Sequence, residues 1–381
     1  MVRNKKKIIR TVTAPNSIKF FKEIMERMQI DGYESLVVTS PGQYLEEFRY
    51  DAPHIKVHEV PMERRISIIK DIKSLYLMVK LMYKEKPYIV HSMTPKAGLI
   101  SMMAAWLTGV PVRIHTFTGL VWPTVVGIKR KILMATDWIT CACATHVIPE
   151  GQGVLDDLKN HKVCHKPMKV LGYGNVMGVD MERFNPARFA DAKKDEGKFR
   201  FVFVGRIVGD KGIHELIDAF SKLNNDYPDS HLVLIGNFEQ TLDPIKSATL
   251  KTIENNSHID ILGYLSGDKL LREYVKSDCF VLPSYREGFP NTVMEAGAMG
   301  LPSIVTDING SREIIIHGEN GLIVPPKDTD ALYEAMKQMI QNASAREKMA
   351  ANARPLIDSR FEKSFVQGCI IKYYEEILTK E

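Results

Sequence analysis

A chain of 381 residues is too long for one ordinary hydrophobic core, so two domains are expected. The composition is that of a folded globular protein, 45% hydrophobic and 25% charged, with no low-complexity tract. A formal net charge of +5 and a pI near 8.7 are too mild to point to nucleic acid, and no DNA- or RNA-binding motif is present.

Part of the positive excess is local. Arg3, Lys5, Lys6 and Lys7 precede the first predicted strand, and Arg64 and Arg65 sit in a predicted turn. Such clusters can meet anionic lipid head groups or a diphosphate, and they equally suit a solvated basic face. The five cysteines, Cys141, Cys143, Cys164, Cys279 and Cys369, form no disulfide-like framework and fit a reducing cytosol. No second Cys/His pair follows Cys141 and Cys143 at zinc spacing, so no metal is expected there. The basic start is not followed by an apolar segment of signal-peptide length. The most apolar helix, 98–107, is too short to span a bilayer, so any membrane contact is expected to be peripheral.

Strands and helices alternate from the start, the pattern of parallel α/β sheets. In the first half, strands are predicted at 8–12, 35–39, 57–60, 88–91, 112–115 and 140–147, with a short one at 169–171. Cys141 and Cys143 would then alternate along a strand. Helices are predicted from Ile18, over 66–83, from Pro95 and over 129–136. The Gly-, Asn- and Pro-rich segment 172–186 reads as a linker, continued by the charged stretch 188–198. A second series has strands at 201–204, 232–235, 259–262, 279–282, 303–305 and 321–324. Its last helices are predicted at 329–341, 343–357 and 363–379. Two Rossmann-like domains facing across a cleft is the natural reading, because such sheets bind ligands at their strand C-terminal edges.

The stretch 283–311, PSYREGFPNTVMEAGAMGLPSIVTDINGS, carries the densest chemistry. Pro290 and Asn291 read as a helix start, with Asn291 able to cap the free backbone donors. Glu287 lies in the loop before it, and Glu295 one turn past Asn291 on the same face. Amides at a helix N-terminus attract phosphate, and carboxylates accept hydrogen bonds from sugar hydroxyls. The combination suits a nucleotide sugar, although an N-capped surface helix with unrelated acids shows the same pattern. Upstream, VGRIVGDKG places Gly205 and Arg206 at a strand end and Lys211 before a helix. Two cations there could hold a diphosphate and neutralise it as a leaving group, while Arg and Lys also commonly decorate βα loops.

Taken together, VGRIVGDKG, LVLIG, ILGYLS, EGFPNTVMEAGAMGLPSIVTDINGSREII and NGLIVPP resemble the family-4 retaining glycosyltransferases of the GT-B fold, over nearly all of the C-terminal half. The resemblance implies that Glu287 faces the donor sugar and Glu295 the nucleotide ribose, with Arg206 and Lys211 as the diphosphate clamp. Gly288, Phe289, Pro290, Asn291 and Thr292 match the loop whose amides contact sugar and diphosphate. Gly263, Tyr264 and Leu265 fall where the base is held. In the N-terminal half, VPMERRISIIKDI and IVHSMTPKAGLISMMAAWLTGVPVRIHTFTGLVW look like the branch that builds capsular polysaccharide and other lipid-linked glycans in bacteria. His115 matches a histidine that contacts the donor sugar or the acceptor. Asn16, Arg64, Lys96, Thr116, Thr118 and Gly119 are acceptor-side candidates, Arg64 and Lys96 for its diphosphate. The loop 13–17 lacks the Gly-Gly of many family members, as does the specialised branch, and Val147 to Glu150 departs from the usual serine-containing segment.

The expectation is therefore a retaining hexosyltransferase with an acceptor-side domain at 1–180 and a nucleotide-sugar domain at 187–362. Residues 363–381 are a candidate to cross back onto the first domain. The donor would be a UDP-sugar, the acceptor a polyprenyl-diphosphate-linked sugar, at the cytoplasmic face of an anionic membrane, without cofactor or metal. Asp328-Thr329-Asp330 is formally a metal signature, but it opens a helix and reads as a cap. The alternatives are a UDP-N-acetylglucosamine 2-epimerase-like enzyme and a non-catalytic GT-B subunit. A dehydrogenase is disfavoured, since neither half opens with GxGxxG.

Overall fold

The computed structural model describes residues 4, 6–63, 67–192, 194, 196–239 and 243–380. The chain divides into two compact units, Met1–Met177 with Val366–Glu381, and Gly178–Phe365. Each is built on a parallel six-stranded sheet.

The first unit contains β1 (Lys7–Thr11), α1 (Lys22–Ile30), β2 (Glu34–Thr39), α2 (Tyr44–Asp51), β3 (Lys56–Glu59), α3 (Ile68–Glu85), β4 (Ile89–Met93), α4 (Pro95–Leu107), β5 (Val112–Phe117), α5 (Gly127–Cys143), β6 (His146–Pro149) and α6 (Gln152–Asn160). Strand order is β3-β2-β1-β4-β5-β6. The interior strands are buried on both faces, which is why they read as continuous apolar runs rather than alternating ones. One face is packed by side chains of α3 to α6, including Met78, Ile100, Cys141 and Leu158. The other is covered by α1, α2 and the last helix of the chain, α14 (Lys363–Lys380), whose Val366, Ile370, Tyr374 and Ile377 join Ile8 and Val12 in a common core.

The second unit follows with β7 (Phe199–Val204), α7 (Ile213–Asp226), β8 (Ser230–Ile235), α8 (Ser247–Asn255), β9 (Ile259–Gly263), α9 (Gly267–Val275), β10 (Cys279–Leu282), α10 (Asn291–Ala298), β11 (Ser303–Thr306), α11 (Ser311–Ile314), β12 (Gly321–Val324), α12 (Thr329–Gln341) and α13 (Ala343–Phe361). The order β12-β11-β10-β7-β8-β9 reverses direction between β7 and β10. That reversal opens a crevice at the strand C-terminal ends, the usual ligand position of such sheets.

Three local expectations are corrected. Thr140 to Cys143 are the last turn of α5, and the strand begins only at His146. Small side chains and threonines let the helix run on: the Thr140 hydroxyl donates back to the Thr136 carbonyl at 2.9 Å, while Cys141 packs into the core. Residues 169–171 form no strand, because after a single bridge between Val147 and Met168 the chain turns through left-handed Gly172 and Gly174. Asn291 is the first residue of α10, and Pro290 holds the capping position without a side-chain cap. Asp328 does cap α12, accepting from the Ala331 N–H at 2.9 Å.

Candidate active site

The turn between β7 and α7 and the loop between β10 and α10 meet at the reversal point of the second sheet. Gly212 makes the approach possible. It sits at φ 69°, and a Cβ there would lie 2.0 Å from the Pro283 carbonyl oxygen at the exit of β10. Hydrogen bonds then stitch the two corners together. The Tyr285 N–H donates to the Asp210 carbonyl at 2.9 Å, and Arg286 Nη2 lies 2.9 Å from Asp210 Oδ2. The Tyr285 hydroxyl, 2.7 Å from both Glu215 oxygens, anchors the loop to the first turn of α7.

Lys211 Nζ stands 2.5 Å from Glu287 Oε1, which also accepts from the Ser284 hydroxyl at 2.7 Å. Both charged side chains are largely withdrawn from water, at 17% and 13% exposure, so each holds the other in a defined position. Arg206 follows β7 after Gly205. It is 51% exposed and paired at 2.5 Å with Glu239 of the loop after β8, a partner the sequence did not reveal. The two loops are held parallel by a bridge between Ile207 and Phe238. Gly236 is needed here, since a Cβ on it would fall 1.8 Å from the Gly205 carbonyl oxygen.

On α10, Glu295 accepts at 3.3 Å from the hydroxyl of Tyr274, a fully buried residue of α9. Burial, reinforced by Glu295, holds the Tyr274 hydroxyl well above its ordinary range, so it stays protonated and donates. Tyr274 thus holds the Glu295 carboxylate, a contact that sequence reasoning missed. Phe289 turns its ring into the core, edge-on to Phe361 at 5.3 Å, so only its backbone is available to a ligand. Gly288, Asn291 and Thr292 flank it, and Gly310 packs on the Gly288 carbonyl. Gly263, the last residue of β9, is left-handed at φ 65°; beyond it Tyr264 is exposed and Leu265 packs partly on the core.

In the first unit His115 ends up buried on β5, with Nδ1 2.8 Å from the Ser92 hydroxyl and its ring against Gly98 at the start of α4. Burial lowers it to about 3, so it works as a neutral imidazole. Thr116 Oγ1 lies 2.7 Å from His91 Nε2, and His91 Nδ1 lies 2.5 Å from the Tyr374 hydroxyl of α14. Arg10, which can only donate, lies 3.4 Å from the same Nδ1, so Nδ1 accepts and Nε2–H donates to Thr116. Lys96 is buried and paired at 2.5 Å with Asp71 of α3, which commits its charge within the fold. Thr118 and Gly119 follow β5 in partly exposed positions, and Asn16 is exposed beyond β1. The Thr13 hydroxyl in that loop caps α4 by accepting from the Ala97 N–H at 3.1 Å. Arg64 lies outside the described residues. Among the described residues, no group of three or more His, Cys, Asp or Glu could hold a metal ion.

Residues 185–355 match the family described as Glycosyl transferases group 1, and residues 18–174 match the Glycosyl transferase 4-like domain. The chain is 33% identical to the capsular polysaccharide biosynthesis glycosyltransferase CapM of Staphylococcus aureus, over 98% of this chain and 97% of that protein. It is 32% identical to an Escherichia coli UDP-Gal:alpha-D-GlcNAc-diphosphoundecaprenol alpha-1,3-galactosyltransferase, over 72% of this chain and 71% of the relative. Among solved structures, a glycosyltransferase from Rickettsia africae superposes with a TM-score of 0.80 at 21% identity, covering 99% of this chain and 100% of that one. HepE of Anabaena, solved with UDP-glucose, gives 0.78 at 16% identity, covering 98% and 100%. The chain therefore belongs to the group 1, family-4 retaining glycosyltransferases of the GT-B fold, enzymes that take nucleotide sugars as substrates and generally act without a metal.

Proposed function

We propose that this glycosyltransferase moves a hexose or N-acetylhexosamine from a UDP-sugar to a polyprenyl-diphosphate-linked sugar, in the synthesis of a bacterial surface polysaccharide. The observation that carries the reading is the Lys211–Glu287 pair at the reversal point of the second sheet, with Arg206 on the adjoining loop. Cations at that corner suit a nucleoside diphosphate, and a carboxylate beside them suits the hydroxyls of its sugar. The names of the S. aureus and E. coli relatives support a capsular or lipid-linked product and a UDP-linked donor.

In this reading the anomeric carbon–oxygen bond to the diphosphate breaks as the acceptor oxygen adds on the same face, which retains the configuration. The acceptor proton passes to the departing diphosphate oxygen. Arg206 and Lys211 neutralise the charge that develops on the leaving group. Glu287 orients the sugar, Glu295 the ribose, and the segment at 263–265 the base. Neutral His115, Thr116, Thr118, Gly119 and Asn16 are the acceptor-side candidates, joined by Arg64 outside the described residues, whereas Lys96 is taken up by Asp71. The protein acts in this reading at the cytoplasmic face of an anionic membrane, through a peripheral contact; among the described residues no helix is long and apolar enough to cross one.

The test is incubation of the full-length protein with a panel of UDP-sugars and a polyprenyl-diphosphate sugar. The expected result is a glycosylated lipid whose new bond keeps the donor's anomeric configuration. Release of a C2 epimer from donor alone would identify an epimerase instead, and absence of any turnover would favour a non-catalytic subunit.

A further inference from the structure

More than half of the large apolar side chains that stand exposed among the described residues are gathered on or beside three neighbouring helices of the first unit, α3, α4 and α5. These helices lie side by side on one face of the sheet, α3 against α4 and α4 against α5. Along α3, Ile69, Ile72, Tyr76 and Tyr83 fall at gaps of three, four and seven residues, which puts them in one stripe facing away from the core. Ile69 is 84% exposed there. Helix α4 ends in exposed Trp106 and Leu107, and α5 adds Ile128, at 78% exposure, with Ile132 and Trp138.

The exposed charges on the three helices are all cations. Lys73, Lys80 and Lys84 are exposed on α3, and Lys129 and Lys131 on α5. Each acid on the three helices is turned inward or spent. Asp71 pairs with Lys96, buried Glu85 with Lys7 and Lys56, and buried Asp137 accepts from Trp122. An apolar stripe whose own helices expose only cations, with Glu63 just before α3 paired to Lys70, suits an anionic apolar sheet rather than a groove for a chain. Tryptophans at its margin suit the head-group level of a bilayer. A second copy of the same face would set lysine against lysine, which disfavours self-association.

We infer that the outer face of α3, α4 and α5 is the surface by which this protein seats on an anionic lipid leaflet, with Ile69, Ile72 and Ile128 entering the acyl boundary. This deepens the peripheral-membrane part of the proposed function and rests on this surface, independently of the donor site. Of the three tryptophans, Trp106 and Trp138 lie on the face while Trp122 is buried, so intrinsic fluorescence reports the contact directly.

The experiment is flotation of the full-length protein with phosphatidylcholine vesicles, with and without phosphatidylglycerol, alongside quenching of tryptophan by brominated phosphatidylglycerol. Wild-type protein is expected to float with the anionic vesicles alone and to be quenched. The combined Ile69→Glu, Ile72→Glu and Ile128→Glu variant is expected to lose at least about tenfold in partitioning. Replacing Lys129 and Lys131 by Ala should cost about fivefold per charge and flatten the salt dependence. All three isoleucines are exposed, so circular dichroism of the variant should match wild type. Wild-type protein that floats with neither vesicle overturns both this inference and the membrane reading. Unchanged flotation of the triple variant overturns this face alone. A dimer in sedimentation that the triple variant dissociates, or an acidic protein that competes with no vesicle bound, also overturns it.

Discussion

Lys211 and Glu287, 76 residues apart in sequence, place Nζ and Oε1 2.5 Å from each other across the point where the second sheet reverses its strand order. The pair joins the cationic corner after β7 to the acidic corner after β10. Removing one partner leaves the other charge largely desolvated, which costs more than an exposed pair would. Glu287→Gln keeps the shape and can still bond Ser284, so the fold is expected to survive. Sugar transfer is expected to fall by at least about a hundredfold, with most of the loss in kcat. Full turnover by that variant would remove Glu287 from the site.

Arg206 is paired with Glu239, so in the proposed reading a diphosphate would compete with that carboxylate for the guanidinium. The competition is shallow, because the pair is half open to water. Glu239→Gln is therefore expected to tighten UDP binding a few-fold, and Arg206→Ala to weaken it about tenfold or more. Calorimetric titration of both variants checks the two signs; a weaker complex with Glu239→Gln would mean that Glu239 itself serves the ligand.

Gly212→Ala is expected to destabilise the second unit by at least about 2 kcal/mol, since the residue is left-handed and the added methyl meets the Pro283 carbonyl. Chemical denaturation should show this as a lower midpoint. An unchanged midpoint would mean that the two corners can separate without cost.

Asp137 gives a pH signature. Burial raises its carboxyl to about 7, against the opposing pull of the Trp122 N–H at 3.1 Å. Between its ordinary value of 3.8 and about 7, the unfolded chain ionises at this position while the folded chain keeps its proton. Stability is thus lost as pH rises through that window, and the penalty is complete above about pH 7. Asp137→Asn retains an acceptor for Trp122 and is expected to raise the melting temperature above pH 7 while changing it little near pH 4. Equal shifts at both pH values would contradict the protonated carboxyl.

The sheets were legible because parallel strands buried on both faces are written as short apolar runs, such as CFVL at β10 and SIVT at β11. The cap at Asp328 was legible because its chemistry is local. The end of α5 was not, since Thr-Cys-Ala-Cys alternates like a strand while its small side chains suit a helix equally well. Lys211 and Glu287 could be singled out by their positions at strand ends, but their pairing could not. Arg206–Glu239 and Tyr274–Glu295 were hidden for the same reason: each joins two loops or helices whose meeting depends on the sheet order. The departure from the usual segment at Val147 to Glu150 was likewise illegible, because its role lies in backbone bonds. Glu150 N–H bonds the Phe117 carbonyl and its own carbonyl takes the Asn175 N–H, so the segment ends β6 and ties down the following turn.

The most direct measurement is calorimetric titration of UDP into the wild-type protein and into the Arg206→Ala, Lys211→Ala double variant. Saturable uptake by the wild type, lost by about a hundredfold or more in the folded double variant, is the expected result. Equal affinity in the two proteins, or no heat from the wild type with UDP or any UDP-sugar, would contradict a nucleotide site at the β7 and β10 corners.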